Sequence, residues 1–167
     1  MRRVRAALLA ACGLALLTGC TPGDLPLVGV QLDAQGAPQA LLRSCDDHGR
    51  IRYPQLFAME PAAVATEHYW PDDRWTVWKS TVARPKAADF PLFAPPADWA
   101  VTTSGPQSLD PGRVYRLGFS DPDKSYDYNA TLTFDAARLA ALQPGQVLTD
   151  KGVLSREDFD KAARKAC

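Results

Sequence analysis

The 167-residue chain has little of what metal and acid–base chemistry draws on: two His, four Cys and two Met. A zinc site usually needs three or four ligands at defined spacing. His48 and His68 stand apart, with Asp46 and Asp47 before the first and Glu67, Asp72 and Asp73 around the second. They make no paired-His helix pattern, and surface His is the plainer reading. Neither sign of charge is in excess, with 19 Lys and Arg against 19 Asp and Glu, and no basic tract exists. That argues against nucleic-acid binding. No nucleophile elbow, P-loop or dinucleotide-binding Gly turn is present. The carboxylates are scattered, so nothing assigns general acid and base work. No residues call for a cofactor. Only one apolar run stands out, Ala6 to Leu17, broken by Gly13. It is too short for a transmembrane helix, which needs ~20 residues.

What is there begins with the address. Arg2, Arg3 and Arg5 precede the apolar run, and Leu17-Thr18-Gly19-Cys20 follows it. A basic start, a short apolar stretch and a small-residue cleavage site make a secretory signal. Those four residues resemble the lipobox of bacterial lipoproteins: Leu, a small or polar residue, Gly or Ala, then Cys. The resemblance implies that residues 1–19 are removed and that the Cys20 thiol carries diacylglycerol. The protein would then sit on the outer face of the bacterial cytoplasmic membrane, with the membrane as partner through Cys20. Two acyl chains anchor durably, whereas one binds only marginally. The alternative is an ordinary signal peptide with a chance Cys. Residues 20–26 read as a lipidated tether, kept irregular by Pro22, Gly23 and Pro26. Residues 27–167 suit one domain with its own core.

With Cys12 in the leader and Cys20 lipidated, Cys45 and Cys167 remain, an even pair in an oxidising compartment. A disulfide is the economical reading. Two free thiols are the alternative, and a metal site from two isolated Cys is less economical still.

The domain reads as mainly β. Val28, Val30 and Leu32 alternate, Ala34-Gln35-Gly36 turns, and residues 40–45 return, a hairpin pattern. Residues 51–59 predict a strand interrupted by Pro54, placing it at an edge or bulge. Residues 75–82 predict the most aromatic strand. Residues 84–107, with Pro85, Pro91, Pro95, Pro96 and Pro106, read as a long irregular stretch. Residues 113–120 and 127–134 read as an antiparallel pair. Ala136 to Leu142 predicts a short helix stopped by Pro144-Gly145. Ser155 to Asp158 resembles a capping box, and Phe159, Ala162, Ala163 and Ala166 then share one helical face. The opposite face, with Asp160, Lys161, Arg164 and Lys165, reads as solvent surface.

Leu109-Asp110-Pro111-Gly112-Arg113-Val114-Tyr115 resembles the tyrosine corner of fibronectin type III and other Ig-like sandwiches. There the tyrosine sits near the start of strand F and its hydroxyl bonds backbone a few residues upstream. The resemblance implies an Ig-like or fibronectin-III-like antiparallel β-sandwich with one or two C-terminal α-helices, Tyr115 at the corner, 113–120 as strand F and 127–134 as strand G. The Cys-Trp-Cys pattern of antibody domains is absent. In composition, in Arg43-Ser44-Cys45 and in its C-terminal helix, the chain resembles small lipoproteins of actinobacteria, which implies no particular activity.

Candidate binding residues are few. Tyr69, Trp70, Trp75, Trp78 and Trp99 would stack on sugar rings or form a protein hot spot if exposed, and fill the core if buried. Tyr69, Trp70 and Trp78 are the binding candidates. Asp121, Asp123, Ser125, Asp127 and Asn129 alternate as at the start of an EF-hand loop. Tyr126 replaces its Gly and Leu132 its bidentate Glu, so Asp121, Asp123 and Asp127 read first as a polar hairpin loop and only second as a metal site. The expectation is a non-catalytic, membrane-anchored binding or structural module. A cell-envelope protein or cell-wall glycan would be its partner. The alternatives are a dedicated glycan-binding domain and a small hydrolase or metal-dependent enzyme without a recognisable motif.

Overall fold

A computed structural model describes residues 23–45, 50–64, 73–82, 84–85, 87–119 and 129–167. Two five-stranded antiparallel sheets face one another. The first contains β1 (Val28–Leu32), β2 (Pro38–Arg43), β7 (Ala87–Pro91), β11 (Gln146–Thr149) and β12 (Gly152–Ser155), in the order β12-β11-β1-β2-β7. The second contains β4 (Gln55–Met59), β5 (Thr76–Ser80), β8 (Val101–Thr103), β9 (Val114–Phe119) and β10 (Ala130–Asp135), in the order β10-β9-β4-β5-β8. A two-residue pair, β3 (Arg50–Ile51) with β6 (Arg84–Pro85), stands apart.

The predicted first hairpin is present, with Val28 opposite Leu42 and Val30 opposite Ala40. Asp33 closes its turn by accepting the Gln35 and Ala37 amides at 2.9 and 2.8 Å. The break at Pro54 separates β3 from β4. Alternation then fills the space between the sheets. Val28, Val30, Ala40 and Leu42 meet Leu56, Trp78, Leu117, Leu132 and Phe134, all buried. On β10 only every second residue is buried, the period-2 signature of a strand with one face inward. Burial of this apolar surface is the main stabilising term.

The opposite face of the first sheet carries a second, small core. Leu41, Val147 and Phe159 are fully buried there, with Leu154 packed against them. Phe159 belongs to the C-terminal helix. Calling Pro61–Val64 α1 and Ala136–Ala140 α2, that helix is α3 (Arg156–Ala166). Ser155 caps it, its hydroxyl accepting the Asp158 amide at 3.0 Å, as the sequence pattern predicts. Gly29 makes room for this docking. A Cβ there would lie 2.5 Å from Val147 Cγ1 and 3.3 Å from Phe159 Cε2. The helix ends at Cys167, which is disulfide-bonded to Cys45 across a sequence separation of 122.

The Pro-rich stretch and the outer face of α3 differ from the reading of the sequence, and the hairpin before α3 and the seating of residues 23–25 add to it. The Pro-rich stretch is not irregular throughout: it contains β7 and β8. It is held by an edge-to-face trio of Trp78, Phe90 and Trp99, with ring centroids 4.9 to 6.5 Å apart. A hairpin, β11–β12, precedes the last helix, and β11 joins the first sheet beside β1. The tether is seated at its inner end. The Leu25 amide donates to the Asn129 carbonyl at 2.8 Å and the Asn129 amide to the Gly23 carbonyl at 3.0 Å. The outer face of α3 is not plain surface at Asp160. Arg43 bonds Asp160 at 2.9 Å and Asp89 at 2.8 Å, and Arg156 bonds the same two carboxylates, closing a four-membered ring of charges. Burial pushes the Asp89 carboxyl up, but the hydrogen bonds and charges of Arg43 and Arg156 outweigh it, and its pKa lies below the ordinary value. Among the described residues, no helix is long and apolar enough to cross a membrane.

Candidate functional site

The tyrosine corner is formed at the start of β9. The Tyr115 hydroxyl accepts the Asp110 amide at 2.6 Å and donates to the Ser108 carbonyl at 3.2 Å. Burial, and the nearby Asp110 carboxylate against the opposing Asp110 amide bond, push the phenol's pKa up, so it stays a neutral donor. The Asp110 side chain accepts the Gly112 amide at 2.8 Å and its carbonyl the Arg113 amide at 3.1 Å, so the loop before β9 is rigidly wound. Its earlier part is latched onto β5. The Ser104 amide and the Gln107 side chain donate to the Val77 carbonyl at 3.2 and 3.1 Å, and the Ser104 hydroxyl donates to the Thr76 carbonyl at 2.8 Å. Gly105 allows this approach, since a Cβ there would sit 3.1 Å from the Thr76 oxygen.

Between the corner loop, the end of β4 and the start of β5 lies a cleft of about 300 Å³. Ala58, Val77, Gly105 and Pro106 give it apolar surface, and Trp75 and Thr76 also line it. Glu60, Asp110, Arg74 and Arg113 also line it. Arg113 pairs with Glu60 at 2.6 Å and lies 3.9 Å from Asp110. The Arg74 guanidinium lies over the Trp75 ring, 5.1 Å from its centroid.

Two atoms beneath the cleft lining break the usual hydrogen-bond accounting. The Trp75 indole N–H and the Thr76 hydroxyl are buried, with no partner among the described residues. Thr76 is 3% exposed, so its hydroxyl has lost water without replacement. Such a group costs about 1–3 kcal/mol, and each one in a folded protein calls for an explanation. Local geometry accounts for the burial. Register slips between Leu56 and Phe57, which pair with Trp78 and Thr76, so Val77 is an extra residue on β5. The bulge breaks alternation and leaves Thr76, Val77 and Trp78 all buried.

The same bulge corrects the assignment of Trp78 as a binding residue. Trp78 is 0% exposed and its indole donates to the Leu92 carbonyl at 2.8 Å, so it is core and offers no surface. Trp99 is likewise buried. Of the aromatic group, Trp75 lines the cleft described above. Tyr69 and Trp70 lie outside the described residues, as do His48, His68, the lipidation residue Cys20, and Asp121, Asp123 and Asp127. The disulfide residues Cys45 and Cys167 are paired as expected. Among the described residues, no three His, Cys, Asp or Glu side chains converge as a metal site would require. The cleft itself had no sequence signal. It draws on separate segments within residues 58–60, 74–77 and 105–115. Searches against protein-family models, curated proteins and solved structures find no match to this chain.

Proposed function

We propose that this protein is an Ig-like, lipid-anchored binding module on the outer face of the membrane, and that the Trp75–Thr76 cleft is its ligand site. The leader and Cys20 support the anchoring, and the disulfide fits an oxidising compartment. The tyrosine corner, the order β10-β9-β4-β5 in one sheet and β1-β2-β7 in the other support the Ig-like reading. The observation that carries the binding role is the cleft itself, about 300 Å³ beside the corner loop, with Trp75 and the apolar surface of Ala58, Val77 and Pro106 on its lining. The reading is non-catalytic, because the lining carboxylates are committed to Arg113 rather than aimed at a common point.

The test uses residues 21–167, which contain every core residue of the described sandwich and both disulfide cysteines. Co-sedimentation with cell-envelope material from the source organism should be saturable. Trp75→Ala removes the indole from the cleft lining, and should lose most of that binding. Equal binding by wild type and Trp75→Ala would remove the cleft from the account.

A further inference from the structure

Resting on the proposed anchoring at Cys20, we infer that the domain stands on the bilayer surface by one fixed pole and that the cleft opens at the opposite pole, away from the membrane. Very little free chain separates anchor from domain. Cys20 precedes Gly23 by three positions. An extended chain spans at most about 3.6 Å per residue, so the anchor lies within about 11 Å of Gly23. From Gly23 onward the chain is bonded to the sandwich. The Asn129 amide donates to the Gly23 carbonyl at 3.0 Å and the Leu25 amide to the Asn129 carbonyl at 2.8 Å, which pairs Asp24 with Asn129 in a parallel bridge. Bonds on both sides of Asp24 keep the tether from lengthening at the domain's expense.

Strand register assigns the rest of each pole. Asn129 leads into Ala130, the first residue of β10, which lies opposite Phe119 at the end of β9. β1 begins at the same pole and β2 ends there, with Val28 opposite Leu42 and the Arg43 amide donating to the Leu27 carbonyl at 2.8 Å. Cys45 follows two residues later and brings Cys167 with it. Val30 pairs with Leu148, so the turn at Asp150 and Lys151 comes level with Val28. Burial and then the charge of Asp150 push the Asp24 carboxyl up, as that proximity requires. The cleft belongs to the other end of the same strands. Asp135, the last residue of β10, pairs with Val114, and Val114 pairs with Met59. Ala58, Glu60, Asp110, Arg113 and Tyr115 line the cleft beside that end. From Ala130 to Asp135 the strand rises about 17 Å at about 3.4 Å per residue. The flanks face out with polar groups, Thr131, Thr133 and Asp135 on β10 and Glu157, Lys161 and Arg164 on α3. An apolar face is what would lay the domain on its side in the headgroups. A ligand therefore reaches the cleft from the space beyond the membrane and not from the bilayer.

The experiment uses the full chain, processed in cells, purified in detergent and added to vesicles of phosphatidylcholine and phosphatidylglycerol that contain a nitroxide-headgroup lipid. With Cys20 acylated and Cys45 bonded to Cys167, an added Cys supplies the thiol for a fluorescent dye. Two exposed turn positions are labelled, Lys151→Cys at the tethered pole and Ala34→Cys at the far pole. We expect the lipid to quench the dye of Lys151→Cys severalfold more than that of Ala34→Cys. Equal quenching at the two positions, or stronger quenching at Ala34→Cys, on protein that floats with the vesicles, would overturn the orientation and keep the anchor. Unsubstituted protein that takes the dye at Cys20 and does not float with the vesicles would overturn the anchor and the orientation with it.

Discussion

Replacing Cys45 and Cys167 together by Ser opens a covalent loop with a sequence separation of 122. In the chain-entropy account, a loop of that length removes about 16 cal/mol/K from the unfolded ensemble, or about 5 kcal/mol at 25 °C. Measured values run lower, and we expect a loss of about 2–5 kcal/mol. The folded state should change little, because α3 remains docked through Phe159 against Leu41 and Val147 and through the Arg43–Asp160 and Arg156–Asp89 bonds. The effect therefore falls mainly on the unfolded chain. Urea unfolding of residues 21–167 followed by circular dichroism should show three things. The midpoint falls, the slope m rises because the unfolded chain exposes more surface, and the folded spectrum is kept. Thermal midpoints should drop by roughly 4–20 °C at about 2–4 °C per kcal/mol for a domain of this size. Wild-type protein in reductant should match the double variant. Coincident midpoints for the oxidised and double-Ser proteins would falsify the reasoning. A folded spectrum already short of helix in the double variant would show that the bridge, not Phe159, holds α3.

Three further outcomes follow from other parts of the molecule. Gly29→Ala places a methyl into Val147 and Phe159 and should cost about 1–3 kcal/mol, read as a lowered urea midpoint; a neutral result would mean the helix can shift freely. Because the folded pKa of Asp89 is depressed, its contribution is fully present above the unfolded value of about 3.9 and is lost as pH falls through the lower folded value. Asp89→Asn should therefore flatten the fall in stability below about pH 4, and an unchanged acid limb would mean that other carboxylates govern it. In cells, Cys20→Ala should move the protein from the detergent phase of a membrane extraction to the aqueous phase, and an unmoved variant would exclude lipid at Cys20.

Most of the strands that form the core were legible because their signals are local. Alternation at Val28 to Leu32, Pro54 as an interruption, the seven-residue corner motif and the Ser155 cap each act within a few residues. What escaped depends on tertiary partners. β7 ends at Pro91, which a strand tolerates at a sheet edge, and it forms because Phe90 meets Trp78 and Trp99. The β11–β12 hairpin turns on Gly152, at φ +118°, and is short enough to be read as a linker between helices. Trp78 was left open between surface and core, and the bulge at Val77, which breaks the strand's alternation, is what puts it in the core. Asp160 looked solvated because its partners, Arg43 and Arg156, lie 117 and 4 residues away and only the first ties it to another element. The cleft could not be read at all, since its lining comes from three segments that only the fold brings together.

The central claim is that the cleft beside Trp75 is the ligand site, and one variant measured twice tests it. Trp75→Ala removes the indole from the cleft lining and leaves the buried core residues in place. The account predicts a folded circular dichroism spectrum like that of wild type, with most of the saturable binding to envelope material lost on the same preparation. A folded variant that binds as well as wild type would contradict it.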